Sequence, residues 1–285
     1  MRSKPLIIVF CVSFLIFLII MRFATVDRSG LVLPVCEKEN EVVTKIDFYV
    51  TSDVMQNVSH VEVKNRIAKY IDKANIILSN SCVPLKRTLG DINVLDTSKI
   101  LVSDLNSTKH QPLVFANVAK EILQKIGKFK IIEYYNNKPG HYFVIVYGDK
   151  FRGHGTNIIG SVNPNISDSM VVLDFQSQDH HLEHELGHLA GALHINSDRT
   201  VALRQFYLNF DDKDDAVKPY SGGFTCAGQS TIMYNGGSNK YPNEVLDIYS
   251  SPYITFNGKP CGDEKVAFNK KVMDEYTKKL RLLIN

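Results

Sequence analysis

His184-Glu185-Leu186-Gly187-His188-Leu189-Ala190-Gly191-Ala192-Leu193-His194 is the stretch around which the rest of the chain is organised. Histidines four apart lie one above the other on a helix face. His184 and His188 can therefore reach one ion at the about 2.0–2.1 Å of a zinc–nitrogen bond. Glu185 follows the first of them, where it can hold a water and take its proton. Gly191, three residues after His188, is the residue a chain uses to leave a helix through a left-handed turn. That turn would return His194 to the same ion as a third ligand. Three protein ligands leave one coordination position open, which is the catalytic arrangement of zinc rather than the closed structural one.

Two other readings compete. A helix that merely carries histidines would need three spaced histidines, a glutamate and a glycine to coincide. An overlapping register, His180-His181-Leu182-Glu183-His184, fits the inverted zincin motif H-x-x-E-H, but it makes no use of His188, Gly191 or His194. In the preferred register, His180 and His181 fall in the first turn and Asp179 is the expected N-cap.

The five fixed positions of the stretch resemble the H-E-x-x-H-x-x-G-x-x-H pattern of the metzincin peptidases. Thr231-Ile232-Met233-Tyr234, with Met233 lying 39 residues after His194, resembles their Met-turn. Tyr249 to Pro260 (Tyr-Ser-Ser-Pro-Tyr-Ile-Thr-Phe-Asn-Gly-Lys-Pro) is similar to the segment after that turn in bacterial reprolysin-like, adamalysin-related members. The resemblance implies His184, His188 and His194 as zinc ligands, Glu185 as general base, Met233 as the floor of the site and a protein or peptide as substrate. It also implies a metzincin-like α/β (α+β) fold: a twisted mixed sheet with helices, and a zinc cleft between a larger N-terminal and a smaller C-terminal subdomain. Two positions depart from the pattern. Ile195 follows the third histidine where reprolysins carry aspartate, and Asn235 stands two after the methionine where astacins and serralysins place a tyrosine. Two rival functions remain: a membrane-tethered, zinc-holding scaffold without catalysis, and a zinc hydrolase of non-peptide amides. An intact Glu185 argues against the scaffold.

At 44% hydrophobic and 22% charged, the 285 residues have an ordinary globular composition, and a net charge of +3 without a basic cluster gives no reason to expect a nucleic-acid partner. Pro5 to Met21 is an apolar run without a charged residue, holding one serine (Ser13) and preceded by Arg2 and Lys4. Its length of about 25 Å as a helix, beside a bilayer core of about 30 Å, favours an uncleaved signal anchor over a cleaved signal peptide. The basic N-terminus would stay in the cytoplasm and the rest would be exported. The expected organisation is a cytoplasmic n-region and anchor over 1–24, a linker over 25–44 and a catalytic domain over 45–285, with an upper part to about 193 and a lower part from about 194.

Apart from Cys11, four cysteines remain in the exported part, an even number that reads as two disulfides with three possible connectivities. Cys226–Cys261 with Cys36–Cys82 is the first expectation. The runner-up for Cys36 is a thiolate that blocks zinc in a latent form, as in some metzincins. Asp211, Asp212, Asp214 and Asp215 read as a solvated acidic loop, with calcium as the alternative occupant.

Along the rest of the chain, 29–43 reads as a connector and Lys45 to Thr51 as a strand. Ser59 and Glu62 form a capping box before a helix whose face is Val63, Ile67, Tyr70, Ile71, Ala74, Ile77 and Leu78. Leu85 to Leu95 reads as a strand bent at Gly90, and 96–112 as loop. A second amphipathic helix starts near Val114 and stops at Gly127. Ile131 to Tyr135, Tyr142 to Tyr147, Ile158 to Val162 and Met170 to Phe175 read as strands, and the metzincin resemblance implies the third as the cleft edge. Met273, Tyr276, Leu280 and Leu283 mark a closing helix.

Overall fold

A computed structural model describes residues 30–37, 40–105, 114–152, 160–164, 166–194, 218–234 and 244–284. The apolar run at 5–21, Ile195, the aspartates at 211–215 and Asn235 lie outside the described residues. Among the described residues no helix is long and apolar enough to cross a membrane.

The centre is a five-stranded mixed sheet in the order β3-β2-β4-β6-β5. It is formed by β2 (Val42–Thr51), β3 (Leu85–Leu95), β4 (His141–Tyr147), β5 (Gly160–Ser161) and β6 (Met170–Asp174). The first four in spatial order run parallel, and β5 is an antiparallel edge. Alternate residues of β4 serve opposite faces, so its near-continuous apolar run fits a strand covered on both sides. Tyr142, Val144 and Val146 face α2 (His60–Asn80) and α6 (His181–Leu189). Phe143, Ile145 and Tyr147 face α3 (Val114–Lys125) and α4 (Lys130–Asn136). Short helices α1 (Ser52–Asn57) and α5 (Asp149–Arg152) follow β2 and β4. The result is the mixed α/β architecture expected, with α6, the motif helix, packed on one face of the sheet.

Helix α2 buries the expected residues, and Ser59 and Glu62 make the reciprocal cap. The bend at Gly90 is a bulge: Ile46 pairs with Leu89 but Phe48 with Ile92. Asp47 Oδ1 occupies the space where a Gly90 Cβ would stand and accepts the Asp91 N–H at 2.7 Å. A glycine is needed because the partner strand's carboxylate lies there.

Several expectations are corrected. Residues 131–135 form α4, not a strand. Its inward positions, Ile132 and Tyr135, recur at helical spacing against the sheet, and that packing overrides the β-propensity of Ile and Tyr. Of the strand expected over 158–162, the described part is the two-residue β5. Asp179 does not cap the motif helix. His180 stands at the N-cap without a side-chain cap bond, while Asp179 binds Arg66 of α2 at 2.6 Å. Leu283 is exposed rather than part of the inward face of α7 (Asn269–Ile284).

The connector is tied down at two points. Leu31–Val32 (β1) pair with β10 (Ser251–Phe256), which also pairs with β11 (Lys259–Cys261), and Cys36 is bonded to Cys82. A second disulfide joins Cys226 to Cys261. The expected pairing is therefore present, and Cys36 is not a free thiolate. Cys226 belongs to β7 (Thr225–Cys226), which pairs with β8 (Gln229–Thr231), and β8 pairs with β9 (Val245–Leu246). Two disulfides suit an oxidising environment.

Candidate metal centre

Helix α6 sets His184 and His188 one turn apart, with ring centroids 4.8 Å from each other. It ends at Leu189, and Gly191 then takes φ +91°, a left-handed conformation that side chains rarely adopt. The turn closes through the Ala192 N–H donating to Gly187 O at 2.8 Å. The reversed chain brings His194 back, so that its Nε2 lies 3.0 Å from that of His188 and 3.1 Å from that of His184. Among the described residues these three histidines form the one group of three or more able to share an ion.

Protonation decides what the convergence means. His184 Nδ1 is 2.7 Å from Ile232 O and His188 Nδ1 is 2.9 Å from Ala192 O. A carbonyl only accepts, so both Nδ1 atoms carry the proton and both Nε2 atoms of the neutral rings present lone pairs. Burial lowers the pKa of His184 and takes that of His188 well below the ordinary value, which keeps them neutral. A proton on His194 Nε2 could serve one neighbour only, leaving lone pairs opposed at the other contact. A cation among the three nitrogens removes that conflict. A tetrahedral ion with bonds of about 2.0–2.1 Å spaces its nitrogens by about 3.3–3.4 Å, close to the separations here. The residues fit a bound zinc.

The neighbours of the histidines are arranged around this point. Met233 is fully buried, and its Sδ is 3.0 Å from where a Cβ would stand at Gly187, which lies between His184 and His188 on the helix. The residue before it, Ile232, supplies the carbonyl that orients His184. Glu185 is 5% exposed, and burial pushes its carboxyl up to about 8. Its Oε1 would lie 2.6 Å from a Cβ at Gly160, so the glycine of edge strand β5 leaves the space this carboxylate occupies.

Glu183 faces elsewhere. It is fully buried and receives Arg87 Nε and Nη2 at 3.0 and 3.1 Å, a two-pronged pair between the motif helix and β3. Tyr249 O–H lies within bonding distance of Glu183 Oε1 and of its backbone carbonyl, at 2.9 and 3.1 Å. The glutamate of the H-x-x-E-H register is thus committed to a structural pair, which removes that register.

Arg87, Tyr249, Gly223 and Asn269 were not singled out from the sequence. An arginine at an inward position of an alternating strand was the available sign that a buried anion awaited it. The Gly223 N–H donates to His194 O, and a Cβ there would be 2.5 Å from the backbone of Met233. The Met233 backbone and the loop that carries His194 therefore meet at Gly223.

No family model and no curated protein matches the sequence. Among solved structures, a chain described as "Structure of a chaperone-substrate complex" is similar in fold, with a TM-score of 0.58 and 15% identity. The match covers 86% of this chain and 35% of that one, so this protein spans about a third of its neighbour's length. At that identity the likeness concerns the fold alone.

Proposed function

We propose that this protein is a zinc-dependent endopeptidase of the metzincin type, exported and held at the membrane by its N-terminal segment. The observation that carries the reading is the convergence of three Nε2 atoms, two of them fixed as lone-pair donors, with the buried carboxylate of Glu185 beside them. His184, His188 and His194 would hold the ion. Bound there, zinc supplies Lewis acidity toward water and toward a peptide carbonyl. Glu185 takes the proton of the attacking water on a carboxylate oxygen. It then delivers that proton to the leaving nitrogen, as the carbonyl carbon gains a C–O bond and loses its C–N bond. Low exposure suits this role, because a desolvated carboxylate binds a proton more readily than one in water. No serine or cysteine nucleophile is required. Among the described residues β5 ends the sheet, and its outer side is the edge against which an extended substrate backbone would lie. In this reading the site divides an upper part, to about Leu193, from a lower part that carries Met233.

The test is hydrolysis of a broad peptide library by the full chain, before and after a chelator. Cleavage should disappear with the chelator and return with added zinc. Cleavage that survives metal removal, or a zinc-loaded protein that cleaves nothing, would overturn the proposal, the second outcome favouring a zinc-holding scaffold.

A further inference from the structure

The third ligand has the least local support of the three. His184 and His188 ride on a helix, whereas His194 stands beyond the Gly191 turn on a segment that has left it. What holds this segment comes from the far end of the sequence. Asn269, the first residue of α7, is fully buried. Its Oδ1 accepts the Leu193 N–H at 3.2 Å and the Gly222 N–H at 3.1 Å, and its Nδ2 donates to Leu193 O at 2.9 Å. Donors on one side of the amide and an acceptor on the other fix which atom is oxygen and which nitrogen. Ser221 Oγ lies 2.9 Å from the same Oδ1 and 3.0 Å from Gly191 O. Ser250 Oγ holds the backbone of the same residue: it accepts the Asn269 main-chain N–H at 3.0 Å and donates to Gly222 O at 2.5 Å.

We propose that Asn269 is the positioning residue for His194, clamping the backbone just before it to the 221–223 segment that lies on the Met-turn. The inference rests on the metal-binding reading above and adds the residue that holds the third ligand in place. Only a carboxamide of this length presents both a donor and an acceptor to the two backbone groups of Leu193. Aspartate keeps the shape but sets an oxygen against Leu193 O. Alanine removes the side-chain partner of three buried backbone groups, the Leu193 N–H and C=O and the Gly222 N–H. Groups that orient a ligand in this way typically change metal affinity by about 10–100-fold when lost.

The experiment uses the full chain, wild type against Asn269→Asp and the milder Ser221→Ala. Zinc affinity is measured by competition with a chromophoric chelator, and the visible absorption of the Co2+-loaded protein reports coordination. Leu280→Ala, a core change elsewhere on α7, serves as the control for general destabilisation. Asn269→Asp should weaken zinc binding by about 10–100-fold and alter the Co2+ spectrum. Ser221→Ala should do so less, and Leu280→Ala should lower the melting temperature with wild-type affinity and spectrum. If Asn269→Asp loses thermal stability but keeps affinity and spectrum, the proposal is overturned while the metal site stands. Should Asn269→Asp fail to fold, an unchanged affinity and spectrum in Ser221→Ala overturns it equally. A wild type that binds neither metal overturns the site reading and this inference with it.

Discussion

Changing Glu185 to Gln should leave a folded protein with its zinc and its peptide affinity, while turnover falls by about 10²-fold or more. Glutamine keeps the volume of a side chain that fits between α6 and Gly160, so the substitution removes a proton acceptor without opening a cavity. The carboxylate is nearly inaccessible, and its pKa is raised by burial. A cation held by the neighbouring histidines would act in the opposite direction and favour the charged base. Turnover, active-site titration with a peptide inhibitor and metal content, measured on one preparation, check the expectation. Zinc lost together with activity would make Glu185 structural or a ligand. Undiminished hydrolysis would mean that the proton moves by another route.

The second large effect concerns the pair beneath the helix. Arg87 and Glu183 are 1% and 0% exposed, so neither side chain has water to fall back on. Burial, the largest single influence, would lower the pKa of Arg87, but the charge of Glu183 together with the neighbouring tyrosines and the hydrogen bonds outweighs it. The guanidinium stays above its ordinary value. Arg87→Met strands the Glu183 carboxylate with Tyr249 O–H as its remaining side-chain partner. Removing one member of a buried pair typically costs about 3–5 kcal/mol, most of it from the charge left behind. Urea unfolding of Arg87→Met should show a loss of that size. The double variant Arg87→Met with Glu183→Leu should recover much of it, since an apolar replacement leaves no buried charge. A single variant within about 0.5 kcal/mol of wild type, the range of an ordinary surface change, would mean that the pair does not hold the helix.

What the sequence revealed depends on how far apart the cooperating residues stand. The inward face of α2, its Ser59–Glu62 cap and the His184–His188 pair repeat within a turn or two, so local periodicity exposes them. Met233 is farther away; a resemblance to a family pattern singles it out, and the fold buries it against Gly187 of the motif helix. Residues 131–135 read as a strand because Ile and Tyr suit one, and what makes them a helix is the sheet they bury Ile132 and Tyr135 against. Asp179 has the chemistry of an N-cap, yet Arg66, 113 residues earlier, claims it. Arg87 and Glu183 are 96 positions apart, and Leu193 and Asn269 are 76 apart. Nothing in a local window shows that such groups meet. Arg87 at an inward position of an alternating strand signals a buried anion without saying which residue supplies it, and an asparagine opening a helix reads as a cap.

The central claim is that His184, His188 and His194 share one zinc ion, and metal analysis of the purified full chain tests it most directly. Wild type is predicted to carry one zinc per chain after dialysis against metal-free buffer, and His194→Ala to lose it under the same treatment. A wild type that retains none, or a folded His194→Ala variant that retains as much as wild type, would contradict the account.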